Sequence, residues 1–423
     1  MEIFRAYDVR GLYPSELDEE KAFRIGRSLA TKLKTKKFFV NYDNRLGSIR
    51  IKNSFTNGLI KSGGIVYELG PGPVMVSAFA SFSEKACGIC ISASHNPKDY
   101  TGILVFVNGV TLFPEKIKSV FDSKKFSDKF GKPIPFMYDE KYVNYITNDI
   151  GKVQLKVGID SMGGATTFIA PHIFQKIGAK TFSLRSAASE DFYGKIPEPS
   201  IKNASTLGKL IKKEHLAFGV QLDADGDRAL IVDEKGNALD PLKTALILIK
   251  NFKYKQVVAT TACSSILEQY ANVTYVKTGR PNVEIKLKTG KYDFGVEPSS
   301  HFYFGKYFPF SDGIVTALLI AKIITLRNKP LSELAKEFPK IYYKESSIKL
   351  NNQKEIELRL KKIVTMAKKY GKFSMLDGVK ISLMDGFMLF RASNTEPLIR
   401  VYYSGHDAKA FKRIGALVKN IIR

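Results

Sequence analysis

The feature that most limits how this chain can fold is a repeated order of segments. An apolar, β-branched run, a Gly- or Ser-rich turn and an amphipathic stretch follow one another along most of the sequence. KVQLKVGID (152–160) reads as a strand, SMGGATT as a glycine-rich turn, and FIAPHIFQKIG as a helix closed by Gly178. KQVVATT (255–261) followed by CSSILEQYA repeats that order, as does YDFGV (292–296) leading through a loop into DGIVTALLIAKIITLR. Strands that alternate with helices bury their faces against those helices, so the pattern predicts layered α/β domains. The units share order without obvious sequence identity, which points to related domains in series.

At 423 residues the chain exceeds what one ordinary core organises. Boundaries are expected at 148/149, 250/251 and 343/344, giving segments 1–148, 149–250, 251–343 and 344–423. The last segment differs in character. GVKISL, the turn MDG, FMLFRAS and LIRVYYSG read as an antiparallel group, and DAKAFKRIGALVKNIIR as an amphipathic closing helix.

Lys and Arg number 66 against 41 Asp and Glu, a net charge of +25 that attracts anions. The lysines are scattered in short groups such as KTKK and KLKTGK, with no basic arm, zinc-finger spacing or RNP-type aromatic strand. Small phosphorylated molecules are therefore the expected partners, and nucleic acid is not. The start, MEIFRAYDVRG, has no apolar signal run, and the most apolar stretch, IVTALLIAKIITL, is short and interrupted by Lys322. A cytoplasmic protein without a membrane partner is expected. Three cysteines make no disulfide framework, and the CxxC of Cys87 and Cys90 lies inside a strand-like run without a second pair, so a packing role is expected.

Chemistry concentrates in five short stretches. In GVQLDADGDRALIVDEKGN (219–237), Asp223, Asp225 and Asp227 follow a strand end at two-residue spacing, so three carboxylates can converge on one hard cation. An EF-hand calcium loop begins with the same spacing, but Arg228 occupies the sixth place where glycine is needed, and the flanks read as strands. A phosphatase of the haloacid-dehalogenase type normally has Thr or Val where Asp227 stands, and a plain solvated acidic turn is a further alternative. In FRASNTEPLIR (390–400), Arg391 and Arg400 flank Ser393, Asn394 and Thr395, a donor set suited to a phosphate or an ordinary turn between strands. YDFGVEPSSHFYFG (292–305) puts Glu297, Ser299 and His301 on one loop, as hydrogen bonding to a polyol would require. FRAYDVRG (4–11) offers Arg10, either to an anion or to an ion pair with Asp8. ISASHNPKDYTG (91–102) presents Ser94 beside His95 on a turn after a strand-like run, where a hydroxyl can face a cleft.

Together and in this order, FRAYDVRG, SASHNP, DADGDR, VEPSSH and RASNTEP resemble the α-D-phosphohexomutase family, in particular its phosphomannomutase/phosphoglucomutase members, over nearly the whole chain. The resemblance implies three related α/β domains in series plus a smaller α+β C-terminal domain of the TATA-binding-protein-like type, around a central cleft. It implies that Ser94 carries a phosphoryl group and that Ser94, Asp223, Asp225 and Asp227 bind Mg2+. It also implies that a hexose phosphate is isomerised between its 1- and 6-phosphates through hexose 1,6-bisphosphate, which acts as intermediate and activator. Arg391, Ser393, Asn394, Thr395 and Arg400 would hold the phosphate that is not reacting. Arg228, Gly279, Arg280, Glu297, Ser299 and His301 would contact the substrate, and His95 would stand beside the nucleophile.

The chain departs from the family pattern at three places. Leu104 stands where the family has a lysine credited with acid/base help, and leucine cannot move a proton. His301, assisted by Arg10 or Lys98, is the expected replacement. Ser300 replaces the usual glycine of the sugar loop, and GPGP (70–73) stands where Thr-Pro is more frequent. A phosphoglucosamine mutase, or a phosphosugar-binding protein without turnover, are the alternative readings. The assembly is expected to be a monomer or homodimer.

Overall fold

Lys37–Tyr42 and Cys87–Ile91 (KFFVNY and CGICI) are buried along almost their whole length, as strands are when helices cover both faces of a sheet. They pair in parallel, Phe38 beside Cys87, near the centre of a seven-stranded sheet. Its order runs Val9–Leu12, Tyr100–Val107, Cys87–Ile91, Lys37–Tyr42, Ile65–Pro71, Lys132–Pro135, with the short strand Val110–Thr111 paired to Tyr100–Val107. This is a computed structural model describing residues 3–370, 372–393 and 397–422. The chain forms two compact units, one of residues 1–239 with 300–333 and one of residues 240–299 with 334–423.

In the first unit, helices Glu19–Lys32 and Ser48–Lys61 lie against each other on one face of the large sheet. Their backbones touch because glycine stands at the crossing. A Cβ on Gly26 would fall 2.2 Å from the Phe55 carbonyl oxygen, and one on Gly58 would fall 2.0 Å from that of Phe23. Ile25, Leu29, Ile51, Phe55 and Leu59 then reach Phe38, Val40 and Val66 of the sheet.

A second sheet in this unit has the order Ala229–Asp233, Phe218–Leu222, Lys156–Asp160, Lys180–Leu184. Its inner pairs are parallel, while Phe218–Leu222 and Ala229–Asp233 form an antiparallel hairpin whose loop carries the aspartates. The expected helix 168–178 forms as the shorter Ala170–Lys176, with Pro171 in its first turn, where the missing N–H has no helical partner to lose, and a 3-10 turn Ala165–Phe168 precedes it. The long apolar helix Gly313–Arg327 starts at Asp312, whose Oδ1 accepts the N–H groups of Ile314 and Val315 at 2.9 Å each.

In the second unit, Gln256–Thr260 lies in parallel between Asn272–Val276 and Phe294–Glu297. CSSILEQYA gives only a short 3-10 helix, Ser265–Gln269. Helix Pro241–Phe252 runs through the boundary expected at 250/251. The C-terminal group is antiparallel throughout, in the order Tyr342–Lys349, Leu398–Gly405, Gly386–Ala392, Val379–Leu383, Phe373–Ser374. Helices Gln353–Ala367 and Ala408–Ile422 close one face over Ile381, Met388, Phe390, Ile399 and Val401, the second helix contributing Ile414.

All three cysteines are buried with free thiols, and burial alone pushes the Cys87 thiol far above its ordinary range. The CxxC is therefore part of the core rather than a redox or metal motif. Among the described residues, no helix is long and apolar enough to cross a membrane.

Candidate active site

Ser94 follows the carboxyl end of strand Cys87–Ile91 with a φ of +50°, a left-handed conformation uncommon for serine. Side chains around the loop hold it there. The Ser94 N–H donates to Ser92 Oγ at 2.9 Å, and the Ser92 hydroxyl donates to Asp225 Oδ2 at 3.3 Å. From the parallel strand next door, the buried Arg45 guanidinium donates to the carbonyl oxygens of Ser94, Asn96 (2.9 Å) and Pro97 (2.7 Å). Asp43 accepts Arg45 Nε–H at 3.0 Å, and the Phe192 ring lies 4.7 Å from the guanidinium carbon. The loop is thus preorganised by a charge that never faces solvent.

Ser94 Oγ lies 3.1 Å from Asp223 Oδ2, across two sheets of the first unit. Asp223, Asp225 and Asp227 are buried and bring one carboxylate oxygen each within 4.8 Å of one another. The tight hairpin loop makes this possible: Asp223 Oδ1 accepts the N–H groups of Gly226 (3.0 Å) and Arg228 (3.1 Å). Gly226 has φ +87°, and a Cβ there would meet Thr166 Cγ2 at 2.4 Å. Burial, together with the charges of Asp225 and Asp227, pushes the Asp223 carboxyl well above the usual carboxylate range. Three buried hard-oxygen donors with a serine hydroxyl beside them fit a divalent cation, which would remove that mutual repulsion.

Cationic groups surround the pair. Arg228 stands with Nε 3.8 Å from Asp223 Oδ2 and Nη1 3.3 Å from Glu198. Arg10 Nη1 donates to Asn96 Oδ1 at 2.5 Å, and its Nη2 forms the ion pair with Asp8 at 2.6 Å. His95 Nδ1 is 3.3 Å from Ser94 Oγ. The Arg228 charge, burial and Arg10 hold the His95 imidazole well below its ordinary range, which leaves it neutral near pH 7. His301 opens strand His301–Phe304 with Nε2 3.4 Å from Asp227 Oδ1. Leu104 is fully buried opposite Cys90 in the sheet. Lys98 is exposed and makes no hydrogen bond among the described residues.

The second unit gathers other expected contacts. The Gly279 N–H donates to Glu297 Oε2 at 3.2 Å, and Arg280 opens helix Arg280–Leu287. Arg391 and Arg400 face each other across strands Gly386–Ala392 and Leu398–Gly405, with Ser393 just past the first of them. Asn394 and Thr395 lie outside the described residues. Arg45, Asp43 and Ser92 escaped sequence reasoning. The only local signal for Asp43 and Arg45 is YDNR after a strand end, which matches the way Ser92 and Ser94 follow another.

A strand-end serine held against a buried carboxylate cage, with cationic groups around it, defines a class: an oxygen nucleophile arranged for metal-assisted group transfer on an anionic substrate. Comparison with known proteins narrows the class. Models of the phosphoglucomutase/phosphomannomutase α/β/α domains I, II and III match residues 1–128, 140–236 and 240–342, and that of the C-terminal domain matches residues 348–421. The chain belongs to the phosphoglucomutase/phosphomannomutase family, with its four-domain architecture, and is an intramolecular phosphotransferase. A Methanocaldococcus jannaschii phosphomannomutase is 29% identical, covering 99% of this chain and 97% of the relative. A Pyrococcus horikoshii protein described as a probable phosphoglucosamine mutase is 27% identical over 99% and 97%. A Thermococcus kodakarensis phosphopentomutase is 29% identical over 95% and 93%.

Proposed function

We propose that this protein interconverts hexose 1-phosphate and hexose 6-phosphate, of glucose or mannose, through phospho-Ser94 and a bound hexose 1,6-bisphosphate. The observation that carries this reading is the 3.1 Å approach of Ser94 Oγ to the buried triad. Ser94, Asp223, Asp225 and Asp227 would hold Mg2+, which when bound spreads the negative charge of the transferring phosphoryl group.

Phosphoserine brings about −1.5 to −2 charges to the loop, and an anionic sugar must approach it. Arg10 and Arg228 answer that charge. The Ser94 phosphoryl group passes to the free sugar hydroxyl, whose proton must leave, and Ser94 Oγ takes a proton back unless rephosphorylated. With Leu104 where the family carries lysine, we assign the proton at the sugar hydroxyl to His301. Neutral His95 stands beside the nucleophile, its Nδ1 3.3 Å from Ser94 Oγ. The bisphosphate then turns end for end, and its other phosphoryl group returns to Ser94. Gly279, Arg280, Glu297 and Ser299 contact the sugar, while Arg391, Ser393, Asn394, Thr395 and Arg400 hold the idle phosphate.

The identities of the three relatives support a second substrate reading equally well, glucosamine phosphate, and bring a pentose phosphate into the assay. The test is a coupled assay with Mg2+ and a trace of hexose bisphosphate, comparing glucose, mannose, glucosamine and ribose 1-phosphates. Fastest turnover with glucosamine or ribose phosphate overturns the glucose/mannose assignment. Absence of turnover on all four, with Ser94 phosphorylated, favours a binding protein.

A further inference from the structure

The second unit holds a half-buried carboxylate that the cycle above leaves unused. Asp377 lies in the turn between strands Phe373–Ser374 and Val379–Leu383. The turn is fixed by Gly378, with φ +82° and a Cβ position only 2.2 Å from the Phe390 carbonyl oxygen. The Asp377 side chain is 13% exposed. Its Oδ1 accepts Arg391 Nε–H at 3.1 Å. Its Oδ2 accepts the Thr278 backbone N–H at 2.8 Å and the Thr261 hydroxyl at 3.0 Å. One carboxylate thus ties the C-terminal sheet to the end of strand Gln256–Thr260 and to the segment that opens into helix Arg280–Leu287.

The two ends of this tie are the residues that matter for binding. A bond at Nε fixes the plane of the Arg391 guanidinium and leaves its two Nη groups as a fork, the geometry that grips a phosphate in two places. Thr278 immediately precedes Gly279, whose own N–H goes to Glu297. Burial alone would raise the Asp377 carboxyl, but the Arg391 charge and the hydrogen bonds from Thr278 and Arg391 outweigh it and hold it below its ordinary range. The carboxylate is therefore ionised near neutral pH.

We propose that Asp377 is a positioning residue that sets the separation between the phosphate-gripping Arg391 and the sugar-side loop, so that a phosphosugar is held by both ends at once. The inference rests on the mutase reading for the roles of Arg391 and Glu297. It makes a prediction opposite in sign to simple electrostatics. If Asp377 acted only through its charge, removing a negative group beside Arg391 would tighten anion binding. A positioning role weakens it.

The test compares wild type with D377N and T261V in the coupled assay with glucose 1-phosphate. D377N is expected to raise KM about tenfold, as loss of a charge-assisted hydrogen bond does, with kcat changed by less than about threefold and the melting temperature nearly unmoved. T261V keeps the charge and removes only one donor, with an expected rise in KM of about threefold. An unchanged or lowered KM in D377N overturns the proposal. Should D377N fail to fold, an unchanged KM in T261V overturns it instead. If wild type turns over none of the four sugar 1-phosphates, the mutase reading fails by itself, and calorimetric titration with glucose 1-phosphate decides the positioning role. Tenfold weaker binding by D377N supports it, while equal or tighter binding, or none by wild type, overturns it.

Discussion

Ser94 Oγ and Asp223 Oδ2 are 3.1 Å apart although 129 residues separate them in the chain. The serine ends a strand of the seven-stranded sheet and the aspartate opens the hairpin loop of the second sheet, so nucleophile and carboxylate meet only when both sheets are formed. The Asp225 carbonyl oxygen also accepts the Val74 N–H at 3.0 Å, where helix Val74–Ser83 begins. Two domains are thus sewn together through main chain as well as side chain at the place where transfer is proposed.

Ser94→Ala removes the oxygen proposed to accept the phosphoryl group and leaves the Arg45 bonds to backbone carbonyls in place. Turnover in the coupled assay is expected to fall by at least about a thousandfold, with the melting temperature little changed. Intact-mass measurement after incubation with hexose 1,6-bisphosphate should show uptake of one phosphoryl group by wild type and none by S94A. Uptake by the variant would place the acceptor elsewhere.

Asp225→Asn neutralises one of three mutually repelling buried carboxylates. In EDTA the variant is expected to be more stable than wild type, by on the order of 1–2 kcal/mol. Mg2+ at a hundredfold excess over its Kd should stabilise wild type by about 2.7 kcal/mol and the variant far less. Denaturant melts with and without Mg2+ check this, and an equal Mg2+ response in both proteins would remove the triad as the cation site.

Much of the fold is legible in the sequence because its signals are local. The strand–turn–helix order, the antiparallel character of 378–405 and the convergence of Asp223, Asp225 and Asp227 follow from alternation, turn residues and spacing within a dozen positions. What is not legible depends on partners that only tertiary structure supplies. Arg45 looks like any surface arginine until it is seen spanning Asp43 and the loop about fifty residues on. Asp377 reads as a turn aspartate until its 116-residue reach to Thr261 is known.

Asp312 gives the stability of the protein a pH dependence of known sign. It is fully buried, and burial lifts its carboxyl from 3.8 to about 6 against the opposing hydrogen bonds from Tyr142 Oη and the Val315 and Ile314 N–H groups. A carboxyl raised in the folded state contributes stability that is fully present below the unfolded value near 4 and is lost as pH rises through 6. Asp312→Asn keeps an oxygen for the helix cap and abolishes the titration. Between pH 4.5 and 7, wild type is expected to lose about 2 kcal/mol relative to D312N, read from urea melts of both proteins in EDTA at each pH. A difference independent of pH would show that the carboxyl is not raised.

Arg45 offers the sharpest separation of charge from shape. Lysine at this position keeps the positive charge beside Asp43 but has one nitrogen where arginine has three, so it cannot reach the carbonyl oxygens of Ser94, Asn96 and Pro97 together. The Ser94 loop, held at φ +50°, would lose most of its restraint. Arg45→Lys is therefore expected to lower kcat by about tenfold to a hundredfold, as small displacements of a reacting group do, with KM for the phosphosugar nearly unchanged because no substrate contact is lost. Arg45→Ala also leaves Asp43 buried without its cation and should cost about 3–5 kcal/mol of stability. Steady-state kinetics and denaturant melts of the two variants test both halves. A lysine variant with wild-type kcat would mean that charge alone at position 45 suffices and that other bonds set the serine loop.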